Sequence, residues 1–190
     1  MRETLLVKSI DLGKAYRLLY PKTVVIATVI TEDGKPNAIT LAWCMPLSAQ
    51  PPLVGISIAP SRYSYQLLKQ VPEFVINVPT TELLQTMWIC GTVSGRTADK
   101  LSLAKVALEP SKRVRPPRIQ GCAAYLECRV VNELETGDHV LFVGEVVHAE
   151  VDERLFDSKS ARYNTKFYRP ILHIGGPLFT TTSQELLRPR

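Results

Sequence analysis

Apolar residues gather in short runs of strand length bounded by turn residues, and along residues 139–151 they alternate with the two-residue period of a β-strand. Residues 23–32 are rich in β-branched side chains and run into Asp33-Gly34, a hairpin turn pair, so their partner strand is expected over residues 37–44. Residues 53–59 and 73–78 predict two further strands. Between them, Ser61 is placed to cap a short helix over residues 63–70. Thr80 followed by Glu82 predicts a helix over residues 81–89, then a glycine-bearing loop over 90–95 and a second short helix over 97–104. The longest strands are predicted at residues 123–132 and 139–151, joined by a turn at 133–137, with a last strand at 171–174 before Gly175-Gly176-Pro177. Six or more strands with a few short helices describe a mainly β chain whose antiparallel sheet closes, wholly or partly, into a barrel.

Length and composition narrow the reading. A chain of 190 residues with 45% hydrophobic and 22% charged residues suits one folded domain. The first twenty residues carry acids and bases throughout and lack the apolar core of a signal peptide, and no run reaches the length of a membrane span. A cytoplasmic protein without a membrane role is expected. Cysteines 44, 90, 122 and 128 have no C-x-x-C spacing, so free thiols are expected. The net charge of +5 comes from scattered bases, and its densest run, residues 112–118, is a single loop. An anionic ligand accounts for that excess more simply than a nucleic acid does. The three histidines, His139, His148 and His173, do not form a ligand pattern, so no metal site is expected. Dinucleotide-fold glycines, a Walker loop, H-E-x-x-H and G-x-S-x-G are all missing.

What remains is an ordered series of short motifs: Asn37 to Pro46, Pro51 to Ile58, Ser61-Arg62-Tyr63-Ser64-Tyr65, Glu73 to Pro79, Cys90-Gly91 with Ser94-Gly95-Arg96 and Asp99-Lys100, and Gly137-Asp138-His139-Val140 with Gly144-Glu145-Val146. In this order they resemble the flavin reductase-like family of FMN-binding split barrels. The resemblance covers about residues 20–175, the core of a single domain spanning 1–190. It implies an antiparallel, Greek-key-like split barrel holding FMN.

Physical chemistry suggests where each part of FMN would sit. Arg62 and Ser64 open the helix after residues 53–59, where free amides, the helix dipole and a guanidinium fork all favour a phosphate. An N-capping serine beside a solvated arginine reads the same way. The stretch Thr40 to Met45 ends a strand and turns at Pro46, leaving amides free for a flat ring; the resemblance puts Thr40, Trp43, Cys44 and Met45 along the ring edge, although Trp43 also reads as a core aromatic. Asn77, alone in an apolar strand, needs buried partners, either ribityl hydroxyls or backbone.

The resemblance adds Ser57, Ile58, Ala59, Tyr65, Cys90, Gly91, Ser94 and Lys100 as FMN contacts, Lys100 as a charge for the reduced ring. It marks His139 and Cys44 as catalytic candidates, His139 as a proton donor; His139 also reads as a structural histidine, and buried inert cysteine is the commoner state. Hydride transfer from NADH or NADPH through FMN to free flavin, a ferric chelate or a redox partner is implied, in a homodimer. The alternative is a flavoredoxin-type electron carrier that does not oxidise NAD(P)H directly. Phe179 stands where many relatives have tyrosine, so no role for that hydroxyl carries over.

Overall fold

The structure is a computed structural model and describes residues 7–186. The Asp33-Gly34 turn joins β1 (Val25–Ile30) to β2 (Pro36–Leu41), paired antiparallel from Val25 opposite Leu41 to Ile30 opposite Pro36. All six residues of β1 are buried because both faces of the strand are covered. Val25, Ala27 and Val29 face one apolar cluster, while Val24 and Ile26 face a second on the other side of the sheet. That explains the unbroken apolar run, since a strand buried on both sides has no solvent face to alternate with.

The main sheet is completed by β3 (Cys44–Ser48), β4 (Leu53–Ile58), β5 (Glu73–Val78), β6 (Ala124–Glu135) and β7 (Val140–Val151). Its order is β2-β1-β5-β6-β7-β4-β3, antiparallel throughout. The two edge strands, β2 and β3, are consecutive in the chain and separated only by Ala42 and Trp43, so the sheet curls until its edges meet there. Phe74, Phe142, Ile56 and Ile58 fill its interior together with Leu67 and Leu68 of α1 (Tyr63–Gln70). On the outer face lie α2 (Leu84–Thr92) and α3 (Lys100–Leu103), which bury Met87, Cys90 and Leu101 against Ile26 and Ala38. A small sheet of Lys22–Thr23, β8 (Leu172–Gly175) and β9 (Leu178–Thr180) flanks the barrel near its closure. This is the expected mainly antiparallel β architecture with short helices.

Several boundaries differ from expectation for identifiable reasons. The predicted strand over residues 37–44 breaks at Ala42–Trp43, and Pro46 lies inside edge strand β3, opposite Val54, rather than at a turn. An edge strand tolerates proline because one side of it has no ladder to complete. The β6–β7 hairpin extends to Glu135, with Val140 opposite it. Arg62 rather than Ser61 is the N-cap of α1, without a side-chain capping bond. Helix α2 begins after a 3-10 turn at Thr81–Leu83 and continues through Cys90-Gly91, while α3 starts only after Asp99, which caps it by accepting from Ser102 N at 3.1 Å.

The basic run at residues 112–118 folds back onto the sheet. Glu127, fully buried, accepts from the amides of Lys112 and Arg113, the latter at 2.6 Å. Arg115 pairs with Glu73, and Arg118 with Glu109 and Glu150. These cations are used in holding the loop. Among the described residues no helix is long and apolar enough to cross a membrane, and no cluster of three metal-ligating side chains occurs.

Asn77, expected among the cofactor contacts, lies with this structural polar set and lines neither of the two cavities described below. Its amide nitrogen donates to Ile26 O at 3.0 Å, Thr28 Oγ1 at 3.2 Å and Val75 O at 3.2 Å, and its oxygen accepts from Ile119 N at 2.7 Å. The amide therefore pins Ile119 to the outer face of β5, with both of its hydrogens and one acceptor site of its oxygen engaged. Asn77→Ala should lower unfolding free energy by about 2–3 kcal/mol through the orphaned Ile119 N–H and the lost packing, read as a shifted urea midpoint. An unchanged midpoint contradicts this assignment.

Candidate functional site

Where the sheet closes, two connected cavities open. The larger, about 270 Å³, is walled by the end of β2 with Ala42 and Trp43, by Ser57, Ile58 and Ala59 at the end of β4, by Met87, Trp88 and Gly91 of α2, and by His139, His173 and Phe179. The smaller, about 90 Å³, shares Ile39, Arg62, Gly91 and Thr92 with it and continues between Ser61, Tyr63 and Ser64 on one side and Ser94, Gly95, Arg96 and Lys100 on the other. Together they reach the lower part of the ~300–1,000 Å³ range of small-molecule sites.

The two chambers differ in chemistry. Flat rings flank the larger one: Trp43 lies 4.5 Å from His139 between centroids, and on the C-terminal hairpin His173 stacks on Phe179 at 5.0 Å. Trp88 meets Phe179 edge-on at 6.1 Å and Tyr20 lies 5.3 Å from His173. Close approach of α2 to β2 shapes this floor. Thr40 Oγ1 donates to Met87 O at 2.5 Å, and a Cβ on Gly91 would lie 3.1 Å from Thr40 Cβ.

The smaller chamber is cationic. Arg62, Arg96 and Lys100 line it, no Asp or Glu lines either chamber, and none of the three has an ion-pair partner among the described residues. Lys100 is only 6% exposed, and its Nζ donates to Cys90 O at 3.0 Å. Burial holds its pKa below the usual lysine value; nearby Cys90 pulls it back up and the Arg62 charge depresses it further. Ser64 is buried at the first turn of α1, and its hydroxyl accepts from Asn37 Nδ2 at 2.9 Å, leaving its own proton to donate. Amides at the start of α1 add to this field.

An elongated molecule with a flat conjugated ring at one end and a dianionic phosphate at the other matches both chambers. FMN has this shape and charge.

Of the residues singled out in the sequence, Thr40, Trp43, Ser57, Ile58, Ala59, Arg62, Gly91 and His139 line the larger chamber, and Ser64, Cys90, Ser94 and Lys100 the smaller. Lys100 lines the cationic chamber with Arg62 and Arg96 and does not line the aromatic one. Besides Asn77, three others are placed elsewhere. Cys44 and Met45 lie behind Trp43, in an apolar crevice with Tyr16, Leu19, Lys22 and Leu141. Burial pushes the Cys44 thiol up to about 11, against a smaller opposing pull from Lys22, which favours the protonated, less reactive form near neutrality. Tyr65 points into the barrel and packs on Phe142 at 5.6 Å. The far wall, Tyr20, Trp88, His173 and Phe179, comes from segments distant in sequence, none of them singled out as a site residue in the sequence. Arg96 was quoted only as part of a motif.

His139 has one ring nitrogen engaged: Nδ1 lies 2.8 Å from the Asp138 carboxylate. With Nδ1–H donated there, Nε2 is left to hold or pass a proton at the cavity wall.

Comparison with known proteins agrees with this geometry. An uncharacterised protein of Archaeoglobus fulgidus is 44% identical over 172 residues, covering 90% of this chain and 94% of that one. The reductase component of a 4-nitrophenol 4-monooxygenase/4-nitrocatechol 2-monooxygenase from Rhodococcus opacus is 32% identical over 125 residues, 65% of this chain and 64% of that one. The structure also matches an FMN-binding protein from Thermus thermophilus, crystallised with 1-cyclohex-2-enone, with TM-score 0.83 and 26% identity over the whole of both chains. Residues 16–175 match the model of the flavin reductase like domain. A closed antiparallel sheet with an aromatic and a cationic chamber at its closure, carried by a sequence that fits this model across nearly its whole core, places the chain in the flavin reductase-like family of FMN-binding split-barrel proteins.

Proposed function

We propose that this protein binds FMN across the two chambers and works as an NAD(P)H-dependent oxidoreductase. The observation that carries the reading is the sharp division of one continuous site into an aromatic chamber and an acid-free cationic one. The similarity to the Rhodococcus opacus reductase component supports the reductase part. The chemistry FMN supplies when bound is hydride acceptance at N5 and onward delivery of electrons to an acceptor.

The chain's own residues bind, orient and neutralise. Arg62, Lys100, the Ser64 hydroxyl and the first amides of α1 hold the phosphate. Trp43, His139, His173 and Phe179 line the chamber in which a flat ring would lie, and a nicotinamide needs one face of that ring left open. Ala42 and Trp43 sit between strands, where amides are not committed to a full ladder and can meet the polar edge of the ring. His139, oriented by Asp138, supplies a proton-handling group at the wall.

The decisive experiment is an absorption spectrum of protein loaded with FMN, followed under anaerobic conditions by NADH and then NADPH. Bleaching of the flavin bands by either donor is expected; stable flavin bands in the presence of both would replace the reductase with the carrier reading, and failure to take up FMN would remove both. Arg62→Ala should weaken FMN by roughly 10–100-fold, since charge-assisted hydrogen bonds to phosphate are worth ~1.5–3 kcal/mol. Lys100 adds a pH dependence. Its free-state pKa is lowered chiefly by burial, and a dianion beside it favours the charged form, so binding takes up a proton once pH exceeds the lowered value. FMN affinity should therefore fall as pH rises through the alkaline range below lysine's ordinary 10.5, and Lys100→Met should bind more weakly but lose that slope. Isothermal titration at several pH values would test this, and an unchanged slope in the variant would contradict it.

A further inference from the structure

We infer that Arg96 closes the outer end of the cationic chamber and makes the site select a flavin mononucleotide over a flavin dinucleotide. This rests on the flavin reading above and goes beyond it. The chamber holds only about 90 Å³, so a second phosphate with its nucleoside would have to leave it past its outer rim.

Arg96 spans the outer end of this space. From the 94–96 loop its Nη1 crosses to donate to Ser61 O at 2.9 Å, just before α1, and its guanidinium carbon lies 5.6 Å from the Tyr63 ring centroid. Arg96 is exposed on its solvent side, and its bond to the carbonyl and its contact with the ring give it a preferred direction across the rim.

The loop that carries Arg96 is itself pinned. The Arg96 amide donates to Ser94 Oγ at 3.3 Å, and the Thr97 and Ala98 amides both reach Ser94 O at 3.2 Å. Gly95 is pressed so close to the barrel that a Cβ there would lie 2.2 Å from Asn37 Oδ1 and 3.0 Å from Tyr63 Cδ1. Asn37 is in turn held by its bond to Ser64, the residue at the phosphate. The strap and the phosphate cradle thus share one set of contacts, and the strap does not swing aside without disturbing the cradle.

A terminal phosphate ends against this strap and gains a third cation. A diphosphate has to continue through the line from Arg96 to Ser61. Its second phosphate and adenosine therefore meet an occupied position, at the cost of the Arg96–Ser61 bond and the Tyr63 contact.

Two substitutions separate the wall from the charge. Arg96→Ala removes both. Arg96→Lys keeps the charge but lacks the planar fork that spans carbonyl and ring. The measurement is quenching of flavin fluorescence when protein stripped of flavin is titrated with FMN or FAD. Wild type should prefer FMN by at least about tenfold, Arg96→Ala should narrow the preference to about threefold or less, and Arg96→Lys should keep FMN affinity within about threefold while losing most of the preference. Equal affinity of wild type for FMN and FAD overturns the inference while leaving the flavin reading intact. A preference unchanged in both variants overturns it too. A wild-type protein that binds neither flavin removes the reading beneath it, a result distinguishable from either.

Discussion

The two residues Ala42 and Trp43 constrain everything else in the molecule. They join one edge of a seven-stranded sheet to the other. Laid flat, such a sheet would hold its edges roughly 29 Å apart, six spacings of ~4.8 Å, whereas the three Cα steps of this link reach about 11 Å at most. The sheet has to curl, and its seam has to lie at the link. Strand edges that meet through a covalent turn cannot form a complete ladder there, so the seam leaves backbone amides and a gap. The cavity occupies that gap. Trp43, in the link itself, becomes the partition between the ring-sized chamber and the apolar crevice behind it.

A second consequence is how charge is distributed. In the 112–118 loop, Lys112, Arg115 and Arg118 pair with Glu73, Glu109 and Glu150, while Glu127 holds the loop's backbone amides. The cations at the smaller chamber remain without acids. Burying Lys100 beside Arg62 with only a carbonyl for a partner disfavours its charged form, as its lowered pKa records. Such an arrangement opposes folding in isolation and becomes favourable once a dianion fills the space. The site is built for an anion before one arrives, and the stability of the rest of the barrel tolerates it.

These terms also explain what could be read from the sequence. Hairpins were legible because Asp33-Gly34 and the alternation of residues 139–151 state turn and face locally. Arg62 and Ser64 were legible because the start of a helix is a local feature with its own electrostatics. The break at Ala42–Trp43 was not, since the run from Asn37 to Pro46 looks like one strand until the sheet's closure forces it to change edges. Asn77 stayed open between ribityl hydroxyls and backbone, because a buried amide needs partners and sequence cannot tell a ligand's hydroxyls from Ile26 O and Ile119 N, the partners the fold gives it. Cys90-Gly91 resembled a loop, yet its glycine serves the contact with Thr40 and sits within a helix. The wall of Tyr20, Trp88, His173 and Phe179 unites four distant segments that share no periodicity, and only the fold brings them together.

The central claim is that one ligand bridges both chambers, ring in the aromatic one and phosphate in the cationic one. A crystal structure of the protein grown with FMN tests it directly. Ring density between Trp43–His139 and His173–Phe179, with phosphate density on Arg62, Ser64 and Lys100, is the result this account predicts. Density with the phosphate outside the Arg62–Lys100 cluster, or a ring bound elsewhere on the barrel, would contradict it.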